Sequence, residues 1–474
     1  MLADLVAPAI RRLLLARLRR SNPAHLLVQS RAKAWQAVRD AARRSEAYRE
    51  LLRDAGLERA VLDGAAGVAF EALPILTKAG TFGRFPLAAL SGGAAAGEIA
   101  DVLTSSGRGS QGFGFRLTGR QGHDRAWFGI DLGLQNMFEV DQRATLVVNC
   151  LPMGVSFSSR AVAVANVSVR EDMACAILRD VGPRFQQTIV CTDPLFVNRL
   201  LEEGRRQGVD WSALRTSLIL GEEMLVEPQR AYLEARLGIV SNPTGGRVVA
   251  SSFGVGELGL NLLFETRETI RMRRVQRADG AASEPGDPSL LAESSQPALF
   301  CFDPLRCHIE VLDPGADGFG ELCFTMLGGR ELIPLPRYTT GDVGRLLGER
   351  ETRELARRTG LGAPPWLPVL AVRGRAKDRT PGRPSIEAIK ELIYTDHALA
   401  GVLTGAFKLA GERDGRAELR VRTTLLAAEE RATVQSRLSA LAGGRGLGHL
   451  RVIACGPEWG ADPDYERKYD YHAA

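Results

Sequence analysis

A chain of 474 residues is too long for one hydrophobic core, and at 45% hydrophobic it has ample apolar surface for two or more domains. Its net charge of +5, from 61 basic and 56 acidic residues spread along the chain, suits a binder of small anions and gives no ground for nucleic acid as partner. Its seven cysteines are scattered, odd in number and free of CxxC spacing, so they read as reduced, mostly buried thiols, not disulfides or metal ligands.

In MLADLVAPAIRRLLLARLRR, the first twenty residues, arginines interrupt the apolar run, unlike a secretory signal. Two readings stand: an amphipathic helix packed on its own protein or on the second subunit of a homodimer, and a helix lying on a membrane surface. No stretch reaches transmembrane length, and a cytoplasmic protein is expected. Residues 1–66 read as helical, Pro74 stops that pattern, and 91–97 is a loop. From about 100 to 270, β-branched runs at 144–148, 188–191, 217–220 and 247–251 alternate with helical runs at 160–178, 194–206 and 227–237. This alternation predicts an α/β fold with a mostly parallel sheet covered on both faces. Residues 279–297 are acidic, small and proline-bearing, and read as a mobile surface excursion. Strands follow at 301–312 and 320–326, in a smaller β-rich region. Beyond Gly374, a helix at 385–394, strands at 402–410 and 417–422, a helix at 425–441 and a strand at 450–453 make a compact α+β unit of about a hundred residues.

Four segments carry candidate chemistry. Ser105-Ser106-Gly107-Arg108-Gly109-Ser110-Gln111 alternates hydroxyls with glycines and can turn backbone N–H groups toward an anion. It lacks both the P-loop pattern and the dinucleotide fingerprint, so alone it is equally an ordinary turn. Gly221-Glu222-Glu223 ends an apolar strand, where a glycine lets a flat ring lie against the backbone. Phe253-Gly254-Val255-Gly256-Glu257 sets an aromatic side chain and glycines beside a carboxylate able to hold Mg²⁺. Finally Arg337-Tyr338-Thr339-Thr340-Gly341-Asp342 is followed by Arg373-Gly374-Arg375-Ala376-Lys377: the aspartate can accept ribose hydroxyls and an arginine can supply charge-assisted hydrogen bonds. For this last pair of segments the alternative is two solvated turns, where Asp and Arg are common.

In this order the segments resemble the adenylate-forming enzymes: acyl-CoA synthetases, non-ribosomal peptide adenylation domains and luciferases. The likeness is greatest to the phenylacetate–CoA ligase-like branch, related to acyl-protein synthetases. Ala47-Tyr48-Arg49, Leu73-Pro74-Ile75-Leu76-Thr77-Lys78 and Gly320-Glu321-Leu322 extend it over most of the chain. The resemblance implies a large domain, with a helical region at 1–98 and an ATP- and acyl-binding core at 99–376, and a small mobile domain at 377–474. It implies activation of a carboxylic acid by ATP to an acyl-adenylate, then transfer to coenzyme A, a carrier-protein phosphopantetheine, an acceptor protein or an amine. Ser105, Ser106, Gly107, Arg108, Gly109 and Ser110 would hold phosphates. Gly221, Glu222, Phe253 and Gly254 would hold the purine, Asp342 the ribose, and Glu257 a Mg²⁺. Arg375 and Lys468 would act on the reacting anions, with Lys377 as the hinge. Trp127, Phe128, Phe157, Phe253 and Gly254 would line a pocket for an aromatic or medium apolar acid.

The chain also departs from the family pattern. Arg108 and Gly109 stand where the loop usually has threonines, its usual Lys or Pro farther on is missing, and Gly256 replaces a Thr or Ser. These departures support an alternative, a degenerate nucleotide-binding or scaffold member of the same fold.

Overall fold

The computed structural model describes residues 2–64, 67–105, 112–152, 154–240, 246–282, 295–328, 331–378, 384–413, 416–460 and 463–472. Five strands, β3 (Thr145–Asn149), β4 (Ala163–Asn166), β5 (Gln187–Thr192), β6 (Ser217–Leu220) and β7 (Val249–Val255), pair in parallel. Their alternation sends successive side chains to opposite faces. Leu146, Val148, Val190, Leu218 and Val249 enter one apolar layer, and Val147, Ile189, Val248 and Ala250 the other. Helices Glu171–Asp180, Phe196–Gln207 and Glu227–Arg236 contribute to the first layer and helix Arg120–Phe138 to the second. This is the parallel layer expected from the sequence.

The sheet does not end there. β8 (Gly259–Phe264) turns back antiparallel on β7, and β9 (Ala298–Phe302), β13 (Val369–Arg375), β12 (Tyr338–Leu346), β11 (Gly320–Met326) and β10 (Cys307–Leu312) follow it, so one sheet of eleven strands is half parallel and half antiparallel. The antiparallel half packs one face on the N-terminal helices Pro23–Arg44 and Glu46–Asp54, through Val38, Ala41, Tyr48 and Leu52. A buried ionic cluster pins the changeover between the halves. Arg230 donates to Glu265 at 2.6 Å and to Glu227 at 2.8 Å, and Glu265 accepts from the Ser251 N–H at 2.7 Å.

Two sequence expectations need correction. Residues 160–178 are not one helix: Ala163–Asn166 pairs with β3, and Ser168, at a positive φ of 55°, breaks the chain before helix Glu171–Asp180. The Ala-Val-Ala run serves a strand where paired backbone is available. Residues 301–312 are two strands, because Asp303 accepts from the Leu305 N–H and turns the chain between β9 and β10. Residues 283–294 of the acidic excursion lie outside the described residues.

Helix Leu2–Leu18 packs on its own protein. Arg11 is buried and donates to Asp141, with Asp131 at 3.6 Å, which anchors the helix beside Arg120–Phe138. No helix among the described residues is long and apolar enough to cross a membrane. At the other end of the chain, β14 (Leu403–Arg413), β15 (Arg416–Thr423) and β16 (Arg451–Cys455) form a separate sheet under helix Ala428–Gly444. Helix Ile386–Thr395 joins that unit to the main body: Ile389, Leu392, Ile393 and Tyr394 share a core with Leu220, Leu225, Tyr232 and Leu233.

Candidate active site

Two hairpins meet at one end of the candidate site. β1 (Ile99–Thr104) and β2 (Phe115–Gly119) form the first, and β7 and β8 the second. The Ser105 N–H donates to the Gly114 carbonyl, and the Gly114 N–H donates to Ser105 Oγ, both at 3.0 Å, so the base of the loop is closed. Ser106, Gly107, Arg108, Gly109, Ser110 and Gln111 lie outside the described residues. The hairpins meet through glycines. A Cβ on Gly114 would stand 2.4 Å from Glu257 Oε1, and one on Gly256 would stand 2.8 Å from the Thr104 carbonyl oxygen. Gly256 therefore has a steric reason: the contact leaves no room there for a Thr or Ser side chain. Gly254 has a different one, since its Cβ would lie 3.1 Å from Leu260 Cα across its own hairpin.

Glu257 is buried between these hairpins. Lys78 Nζ lies 3.0 Å from its Oε1 and donates to Ser105 Oγ at 2.7 Å, while the Tyr338 hydroxyl donates to the same carboxylate. Burial and Glu257 push the Tyr338 hydroxyl far above its usual pKa. Lys78 is carried there by backbone pairing. Leu76 donates its N–H to the Arg337 carbonyl at 2.8 Å and accepts from Thr339 at 2.9 Å, while buried Arg337 donates to the carbonyls of Glu71 and Leu73. Among the described residues no group of three His, Cys, Asp or Glu side chains could hold a metal ion. The ammonium of Lys78 stands on Oε1 of Glu257, the carboxylate expected to hold a Mg²⁺ between phosphates.

The other end lies where β6, β12, β13 and the C-terminal segment meet. Asp342 and Arg375 are register partners on β12 and β13, with Arg375 Nε 3.6 Å from Asp342 Oδ1, and Thr340 donates to Asp342 Oδ2 at 2.6 Å. Lys468 lies in the same field. Burial and Arg375 lower its pKa to about 8, against the opposing pull of Glu222, Glu223 and Asp342. Glu222 holds a positive φ of 67° just after β6, and its carboxyl is pushed up by burial although Lys468 pulls it down. Such backbone strain in a charged residue is characteristic of functional sites. Glu222, Glu223, Asp193, Tyr465 and Lys468 line a narrow cleft with about 20 Å³ open to a water-sized molecule.

Glu223 accepts from Lys390 at 2.5 Å and from the Tyr471 hydroxyl at 2.6 Å. Burial raises its carboxyl, but Lys390 and Tyr471 overcome that and the net shift is downward. Asp193 is pushed up to about 7 by burial, opposed by its bond from the Phe196 N–H and reinforced by Glu223. The sequence pointed to the segment holding Glu223 but not to Asp193, Lys390 or Tyr471. A usable signal existed for Lys390, the one lysine in the apolar run Ile386-Glu387-Ala388-Ile389-Lys390-Glu391-Leu392-Ile393.

The expected acyl-pocket residues separate. Trp127 and Phe128 meet edge to face at 5.6 Å, with Arg160 over the Trp127 ring, and Phe157 packs on the layer holding Leu134 and Phe138. Phe253 stacks on Phe324 at 6.3 Å and packs on the core between the antiparallel strands and the N-terminal helices. Gly221 meets Leu151 at an ordinary contact distance, so packing does not explain that glycine. For Lys377 the backbone alone is described, in the turn Ala376–Asp378.

No family model and no curated protein matches the chain. Solved structures do. A 2-hydroxyisobutyryl-CoA ligase, crystallised in the postadenylation state with 2-HIB-AMP, superposes with a TM-score of 0.64 over 96% of this chain and 91% of its own, at 15% identity. The fold is that of the adenylate-forming enzymes. The same ligase in that state with R3-HIB-AMP gives 0.63 at 14% identity, with the same coverage of both chains. Its thioesterification-state structure with 2-HIB-AMP and CoA gives 0.54 at 14% identity, again over 96% of this chain and 91% of that one. Within this adenylate-forming fold, the present chain is thus nearer in shape to the postadenylation arrangement.

Proposed function

We infer that the chain activates a carboxylic acid with ATP, releasing pyrophosphate and forming an acyl-adenylate, and then passes the acyl group to a thiol or amine. The observation that carries this reading is that Lys468 lies in the electrostatic field of Arg375, Asp342 and Glu222, which come from three other segments of the chain. Adenylation brings two anions together, so its main requirement is fixed positive charge and alignment. Lys468 and Arg375 supply the charge, Lys468 toward the carboxylate and α-phosphate. Asp342 accepts the ribose hydroxyls, and Gly221 with Phe253 and Gly254 bounds the purine. Magnesium enters with the nucleotide as part of the substrate. Trp127, Phe128 and Phe157 suit an aromatic or medium apolar acid. For the second step the segment after Lys377 turns, and the thiol of coenzyme A or of a carrier pantetheine reaches the activated carbonyl. The structural likeness to a CoA ligase crystallised with acyl-AMP and CoA supports this order.

Carboxylate-dependent exchange of pyrophosphate into ATP tests the reading, with aryl, hydroxyaryl and fatty acids as the panel. Exchange with at least one acid, lost in Lys468→Ala, is expected. ATP binding without exchange across the panel would favour the degenerate alternative.

A further inference from the structure

We propose that Lys78 is the resident cation of the nucleotide site, its ammonium binding the polyphosphate of ATP where Glu257 would otherwise hold a divalent metal. The inference rests on the reading of this region as a nucleotide site. Lys78 Nζ stands 2.7 Å from Ser105 Oγ, the first residue of the serine–glycine loop, and 3.0 Å from Glu257 Oε1. The loop itself, residues 105–111, contains no lysine. An ammonium has three protons. These two contacts use two of them, which leaves the third for an anion beside Ser105.

Lys78 is also held in place. Its side chain is 18% exposed, and Thr81 Oγ1 donates to the Thr77 carbonyl at 2.7 Å while Gly80 donates to Thr77 Oγ1 at 3.0 Å, which fixes the turn that carries it. The neighbouring Leu76 is bonded into the backbone of Arg337 and Thr339. A counter-ion that served Glu257 alone would need one contact. The second one aims this ammonium at the base of the loop. A divalent ion bound to the same oxygen would face the ammonium's like charge at close range, so the two cations are alternatives.

Calorimetric titration of the full chain with ATP and with AMP, first in EDTA and then with Mg²⁺, tests this. The wild type is expected to bind ATP without a divalent ion. Lys78→Met should weaken ATP at least tenfold while changing AMP less than twofold, and Lys78→Arg should recover part of the loss. Because Lys78→Met leaves a buried carboxylate unpaired, the double variant Lys78→Met/Glu257→Gln guards against a folding artefact. It should melt near the wild type and keep the tenfold ATP loss. Unchanged ATP affinity in the double variant, or equal losses for ATP and AMP, would overturn the assignment of Lys78. A wild type that binds neither nucleotide would overturn the nucleotide-site reading itself, and the inference with it.

Discussion

The two ends of the site are held together by different physics. At the Glu257 end, residues 78, 105, 257 and 338 meet where the two hairpins touch, and the fit depends on missing Cβ atoms at Gly114 and Gly256. At the Lys468 end, core residues Glu222 and Glu223 face Lys390, Lys468 and Tyr471 from the C-terminal segment, joined by ion pairs and hydroxyls. Close packing of backbone resists displacement, whereas a few polar ties can break and re-form. The first end is therefore set by steric fit, and the second by charge pairing above a shared apolar core.

The steric end should break hardest. Gly256→Thr restores the residue type usual at this position, but its Cβ meets Thr104 and Ser105 backbone. It should cost about 3 kcal/mol of stability and remove exchange activity, read by thermal melting and the exchange assay. A fully active, stable Gly256→Thr would show that the contact is looser than described.

The polar end should fail selectively. Glu223→Gln leaves buried Lys390 without its carboxylate and should cost about 2 kcal/mol of the docked arrangement, a loss of roughly thirtyfold in adenylation. Tyr471→Phe removes one hydrogen bond to a charged group, for about 1.5 kcal/mol and roughly tenfold. Both variants should spare acyl transfer from a supplied acyl-adenylate. Equal damage to the two half-reactions would mean that these ties serve folding alone.

The mildest probe is pH. Lys468 is an ammonium below about 8 and loses its charge as pH rises through that value. Adenylation should therefore fall with one-proton slope above pH 8, while Lys468→Arg should lack that limb. A wild-type profile flat from pH 7 to 10 would contradict the role given to its charge.

The sequence made the parallel layer legible because each strand alternates against helices of matching length, as at Leu146 and Val147. It did not disclose the antiparallel continuation from β8 to β10, since strand direction depends on long-range pairing. Asp342, Arg375 and Glu222 were legible as motif residues and Lys468 by its place near the chain end, and Lys468 lies in the electrostatic field of the other three. Lys78 and Lys390 were not recognisable as site residues, because their partners lie far away in sequence, at 257 and 223. The only local signal was the apolar run around Lys390, which marks it as buried without naming its partner. Gly256 looked like a lost hydroxyl, and its meaning emerged only when Thr104 was found against it.

The central claim is that Lys468 drives adenylate formation in the docked arrangement. Pyrophosphate–ATP exchange and transfer from a supplied acyl-adenylate, measured on wild type and Lys468→Ala with the same acid, test it directly. The account predicts exchange reduced at least a hundredfold in the variant, with transfer within threefold of wild type. Equal losses in both steps, or exchange untouched, would contradict it.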